Sequence, residues 1–125
     1  MIIGLPKEVK DNEYRVAMTP GVILQLVKAG HRVLVETNSG TGSGFEDFEY
    51  KSAGAKIVKS AEEAWNTELV VKVKEPQPEE FSFMRSGQCL FTFLHLAADR
   101  ELTVSMMSSG VTGIAYETVE NAAGS

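Results

Sequence analysis

A single α/β domain built on a parallel sheet is the fold class this sequence predicts. Three observations predict it: short apolar runs recur along the chain, amphipathic segments with cap residues lie between them, and the alternation holds from end to end. The runs are Ile2–Leu5, Arg32–Glu36, Lys56–Val58, residues 69–74 (LVVKVK), residues 89–94 (CLFTFL) and Thr112–Ala115. Several are β-branched and nearly continuous, as strands buried on both faces tend to be.

The helix signals follow in order. Thr19 caps a helix with Pro20 at its first position. Val22, Ile23, Leu26 and Val27 give it an apolar stripe, and Gly30 stops it. Ser60 and Glu63 have capping-box spacing for a short helix through Trp65. Asp99 caps a further helix whose Leu102, Met106 and Met107 face inward, with Gly110 at its end. Strand–helix–strand repeated in this way implies right-handed crossovers, and hence a Rossmann-like or flavodoxin-like parallel sheet with helices on both faces. After IAYET the chain runs through VENAAGS without a closing helix, so the fold is expected to continue into further chain.

With 125 residues the chain fits one domain and can bury one core. Its net charge of −5 argues against nucleic acid, whose binders need a basic face. No run of about 18 apolar residues is present to span a bilayer, and the N-terminus turns polar too early for a secretory segment. Cys89 is the only cysteine, which excludes an internal disulfide and suggests a reducing, cytoplasmic compartment. No basic residue stands beside Cys89 to activate it, so it reads as a buried structural thiol and not as a nucleophile. No His, Asp or Glu cluster has metal-ligand spacing.

The cluster GTGSG at residues 40–44 follows a strand and invites comparison with a dinucleotide fingerprint. G-x-G-x-x-G requires glycine where Phe45 stands, however, and no acidic strand end lies at the distance needed to hold a ribose. The cluster therefore reads as a flexible connection in preference to a nucleotide cradle.

Three side chains stand out by position. Arg15 lies in KDNEYRVAMTP, after the first strand and before the first capped helix. There a guanidinium can grip a carboxylate bidentately or pair with Glu8 or Glu13. Lys74 ends LVVKVK ahead of Glu75 and Pro76, as a ligand-binding cation or as a solvated or Glu75-paired lysine. His95 follows the apolar run at residues 89–94. It can exchange protons near neutrality or serve as a hydrogen-bonded structural residue. All three fall at carboxyl ends of predicted strands, where parallel sheets place ligands. Together they could anchor a small carboxylate and exchange a proton at its neighbouring carbon. His31 falls at the opposite edge and reads as a turn residue.

The strings GLPKEVKDNEYRVAMTP, GTGSGFEDFEYKSAGA, VVKVKEP, LFTFLHLAA and IAYETV occur here in order. In this they resemble, over essentially the whole chain, the N-terminal part of the alanine dehydrogenases. The related proton-translocating transhydrogenases are similar around Arg15 and Lys74 but generally depart at FLHLA and KEP, so His95 and Glu75 point to the amino-acid dehydrogenase side.

The resemblance implies an NAD-dependent oxidative deamination of L-alanine to pyruvate and ammonia. In it Arg15 and Lys74 bind substrate and His95 donates and accepts protons. It further implies that residues 1–125 form the N-terminal substrate domain, ending before a Rossmann domain that holds NAD and a second catalytic acid. The isolated chain would then be inactive, and the full-length protein a homo-oligomer, a hexamer in the family. Two alternatives stand beside this reading: a fragment of a transhydrogenase subunit, and a non-catalytic carboxylate-binding or assembly module.

Overall fold

In a computed structural model of the chain, residues 1–92 and 112–115 are described. The expected Asp99 helix and His95 lie outside the described residues. The elements are β1 (Ile2–Leu5), α1 (Pro20–Lys28), β2 (Arg32–Glu36), α2 (Asp47–Ser52), β3 (Lys56–Val58), α3 (Ala61–Trp65), β4 (Leu69–Val71), β5 (Cys89–Thr92) and β6 (Thr112–Ala115). The strands form one sheet in the order β3-β2-β1-β4-β5-β6, and every neighbouring pair is parallel. The predicted parallel α/β fold is the observed one.

Strand alternation divides the core between the two faces. Ile3, Leu5, Val33, Val35 and Val71 pack with Ile23 of α1 and with Tyr50 and Ala53 of α2. Val70 and Leu90 pack with Trp65 of α3 and with Met84. Gly4 has no side chain on the α3 side, and the close approach depends on this: a Cβ there would overlap the carbonyl oxygen of Ala64. Glycine in mid-strand here marks such an approach.

The caps act largely as the residues suggest. Thr19 Oγ1 accepts from the Val22 amide at 3.3 Å, and Ser60 Oγ accepts from the Glu63 amide at 3.3 Å. The reciprocal arm differs, because Glu63 Oε2 accepts from the amide of Lys59, one residue before the cap. α2 was not anticipated. Its start is held by Glu49 Oε2, which accepts from the Glu46 amide at 2.8 Å, and by Asp47, whose carboxylate accepts from Thr37 Oγ1 and the Asn38 amide. Its buried Tyr50 donates its hydroxyl to the Met18 carbonyl at 2.9 Å, and burial pushes the phenol up to about 12.

β4 is shorter than the expected 69–74. Its ladder with β1 ends where Pro6 follows Leu5, and Glu8 accepts from the amides of Val73 and Lys74 just past β4. Among the described residues, no helix is long and apolar enough to cross a membrane.

Candidate functional site

From β1 the chain builds outward to β2 and β3, then returns to add β4 on the other side of β1. The order in which strands are added therefore reverses between β1 and β4. In open parallel sheets the crevice beyond the carboxyl ends at such a point is where ligands bind. The loop after β1 carries Arg15, and the segment after β4 carries Lys74. A cleft of about 600 Å³ opens at this edge, bounded in part by Lys7, Glu8, Lys10, Arg15 and Asn38.

Arg15 is 65% exposed and forks onto Glu13, with Nε and Nη2 donating at 3.0 and 2.9 Å. Of the two expected partners, Glu8 and Glu13, it is Glu13 that it takes. The same carboxylate accepts from the backbone amide of Arg15 at 2.9 Å. The Arg15 hydrogen bond holds the Glu13 carboxyl below the usual range despite its cover, and the charge of Lys74 adds to the effect. Reciprocally, Glu13 raises the Arg15 guanidinium. One acidic group thus lies in the field of both cations, which brings Arg15 and Lys74 to a common neighbourhood. Five N–H donors are available on a guanidinium, and the Glu13 fork leaves the Nη1 edge able to meet a second carboxylate.

Lys74 is half-buried. Glu75, its expected partner, instead receives Lys10 Nζ at 2.5 Å. The neighbouring Lys72, not singled out by the sequence, is wholly buried. Its Nζ lies 2.9 Å from Glu8 Oε1 and 3.3 Å from Glu80 Oε2, the second an ion pair whose geometry falls short of a hydrogen bond. Burial pushes the Glu80 carboxyl up, against the attraction of Lys72.

The glycine cluster is not the loose connection expected. Thr41–Ser43 form one turn of 3₁₀ helix, and Ser43 Oγ donates to the Tyr14 carbonyl at 2.8 Å. A Cβ on Gly42 would stand 2.9 Å from that same carbonyl oxygen. The cluster thus props the loop that carries Arg15. This also decides its fit to a dinucleotide: Tyr14 occupies the approach to Gly42, and Glu46, Asp47 and Glu49 place carboxylates at the start of α2, where a pyrophosphate would need open amides. These residues do not fit NAD. Titrating the chain with NADH in a calorimeter is expected to give no saturable heat, and a micromolar dissociation constant would contradict this.

Cys89 is partly exposed in β5, less covered than expected. His31 lies at the amino edge, its Nδ1 3.2 Å from the terminal amine, in keeping with a turn role. His95 lies outside the described residues, and its place at the carboxyl edge stays an expectation from the sequence. Among the described residues, no group of three or more His, Cys, Asp or Glu is placed to hold a metal ion.

Fold and site together define a parallel α/β domain with a cation-bearing cleft at its switch point. Residues 4–125 match the family described as alanine dehydrogenase/PNT, N-terminal domain, and the chain belongs to that family. It is 59% identical over 119 residues to the alanine dehydrogenase of Bacillus subtilis (strain 168), covering 95% of this chain and 32% of that protein. It is 54% identical over 126 residues to the alanine dehydrogenase of Geobacillus stearothermophilus, covering 100% and 34%. A solved L-alanine dehydrogenase superposes with a TM-score of 0.92 at 55% identity, over 94% of this chain and 32% of that one. A transhydrogenase from Sinorhizobium meliloti superposes at 0.86 with 32% identity, over 92% and 34%. The chain spans about a third of the length of the curated relatives it matches.

Proposed function

We propose that this chain is the substrate-binding domain of an NAD-dependent L-alanine dehydrogenase, which interconverts L-alanine and water with pyruvate and ammonia. The observation that carries the reading is the placement of Arg15 and Lys74 on the two loops that flank the switch point, with Glu13 in the field of both. Residues 1–125 act as the substrate half. On this reading NAD and a second catalytic acid are supplied by further chain, as the family resemblance implies, and the misfit of the glycine turn to a dinucleotide supports it. The full-length protein is a cytoplasmic homo-oligomer on this reading, and its small-molecule partners are L-alanine and pyruvate.

Each residue has a physical role. Arg15, oriented by Glu13, offers its free edge to the substrate carboxylate, where planar donors match two oxygens. Lys74 adds a point charge from the segment after β4 and fixes orientation. His95 moves the protons that the amine and carbonyl centres take up and release. Transhydrogenase function is the second reading, favoured by the superposition at 0.86. The higher identity to the dehydrogenases, and the presence of His95 and Glu75, weigh against it.

Alanine-dependent formation of NADH by the full-length protein tests the proposal, and NADH-driven reduction of another nucleotide without any response to alanine would favour the second reading. Within that enzyme, Arg15→Ala is expected to raise KM for pyruvate about 10- to 100-fold, the loss of charge-assisted hydrogen bonds. Arg15→Lys should recover only part of it, because an ammonium lacks the fork. Unchanged KM in Arg15→Ala would remove Arg15 from the site.

A further inference from the structure

Where β1 and β4 part at the switch point, a side chain closes the gap. Glu8 has its side chain only 4% exposed. Its Oε2 accepts from the Val73 amide at 2.9 Å, and its Oε1 accepts from the Lys74 amide at 3.3 Å and from Lys72 Nζ at 2.9 Å. On the far side the buried Thr92, at the end of β5, donates its hydroxyl to the Lys74 carbonyl at 2.7 Å. Both backbone polar groups of Lys74 are thus held by side chains from elsewhere in the fold, Glu8 in the loop after β1 and Thr92 at the end of β5, beyond the last paired residue of β4. Lys72 supplies the countercharge that a buried carboxylate needs, and it shares that charge with Glu80 at 3.3 Å.

We infer that Glu8 and Thr92 are positioning residues for substrate binding: they clamp the Lys74 backbone and thereby aim its ammonium into the crevice opposite Arg15. A lysine head on a four-carbon stem is placed only as well as its Cα is placed, so a fixed backbone restricts where its charge can reach. Glu8 suits the task because an ionised carboxylate accepts only, and here it meets two amides and an ammonium. A glutamine would turn donors toward at least one of them. The inference rests on the reading of Lys74 as a substrate ligand.

The test is a double-mutant cycle in the full-length enzyme, with KM for pyruvate, KM for NADH and melting temperature measured for each variant. Glu8→Gln is expected to raise KM for pyruvate about tenfold, the loss of a hydrogen bond to a charged group. KM for NADH should stay unchanged. In a Lys74→Ala background the same change should move KM for pyruvate less than about twofold, because partners acting through one residue are not additive. Thr92→Val leaves the ion cluster intact and should show the same pattern, which reads the clamp even if Glu8→Gln does not fold. Additive effects, or an unchanged KM for pyruvate in the folded single variants, would overturn the inference. If Lys74→Ala itself leaves KM for pyruvate unchanged, the substrate reading of Lys74 fails, and the clamp has no function to serve.

Discussion

Lys72→Met is expected to lower folding stability by about 3–5 kcal/mol, the usual cost of removing one partner from a buried charge cluster. Lys72 Nζ is shared between Glu8 and Glu80, and all three side chains are 4% exposed or less. Methionine fills much of the volume but leaves two carboxylates buried without a cation. Trp65, the only tryptophan, is buried beside Phe83 and reports the loss by fluorescence during urea unfolding.

The effect has a pH signature whose sign follows from Glu80. Its folded carboxyl is already raised above 4.5, so the stability it contributes is fully present below 4.5 and is lost as pH rises through the folded value. Without Lys72 the attraction that opposes this rise is gone, and the folded value moves higher. The gap between variant and parent should therefore be small in acid and widen as pH climbs above 4.5. An unchanged urea midpoint at neutral pH, or a gap that closes as pH rises, would contradict the account of the cluster.

His95→Ala in the full-length enzyme is expected to lower kcat by roughly 10²- to 10⁴-fold, the usual worth of a positioned proton-transfer group. KM for pyruvate should change far less if, as proposed, Arg15 and Lys74 hold the carboxylate. The pH profile of kcat should also lose the limb that reports the imidazole, the side chain that ordinarily titrates between pH 5 and 8. If kcat stays within a few-fold of the parent, His95 is structural and the carboxylate-binding module gains ground.

The sheet was legible because its strands are short, apolar and β-branched. β1, β2, β3 and β6 have the boundaries that their runs suggest. The end of β4 was not, since VKVK keeps an alternating pattern while the ladder is cut by a carboxylate from 65 residues away in sequence. α2 escaped notice because its start is held by Glu46, Asp47 and Glu49 and not by Ser or Thr, and its anchor, Tyr50 to Met18, is a long-range contact. Lys72 carries a signal in the sequence itself. A lysine between valines in a strand buried on both faces requires an acidic partner, and GLPKE and PEEF supply Glu8 and Glu80. For the site, position at strand ends selected Arg15 and Lys74. The Glu13 fork and the prop from the glycine turn depend on loop packing that no local pattern encodes.

The most direct test of the substrate reading is a crystal structure of the full-length enzyme with pyruvate bound. The expected result places the pyruvate carboxylate within hydrogen-bonding distance of the Arg15 guanidinium and Lys74 Nζ, beyond the carboxyl ends of β1 and β4, with the His95 imidazole at the keto oxygen. Pyruvate bound away from the switch point, or His95 turned into the core away from both cations, would contradict it.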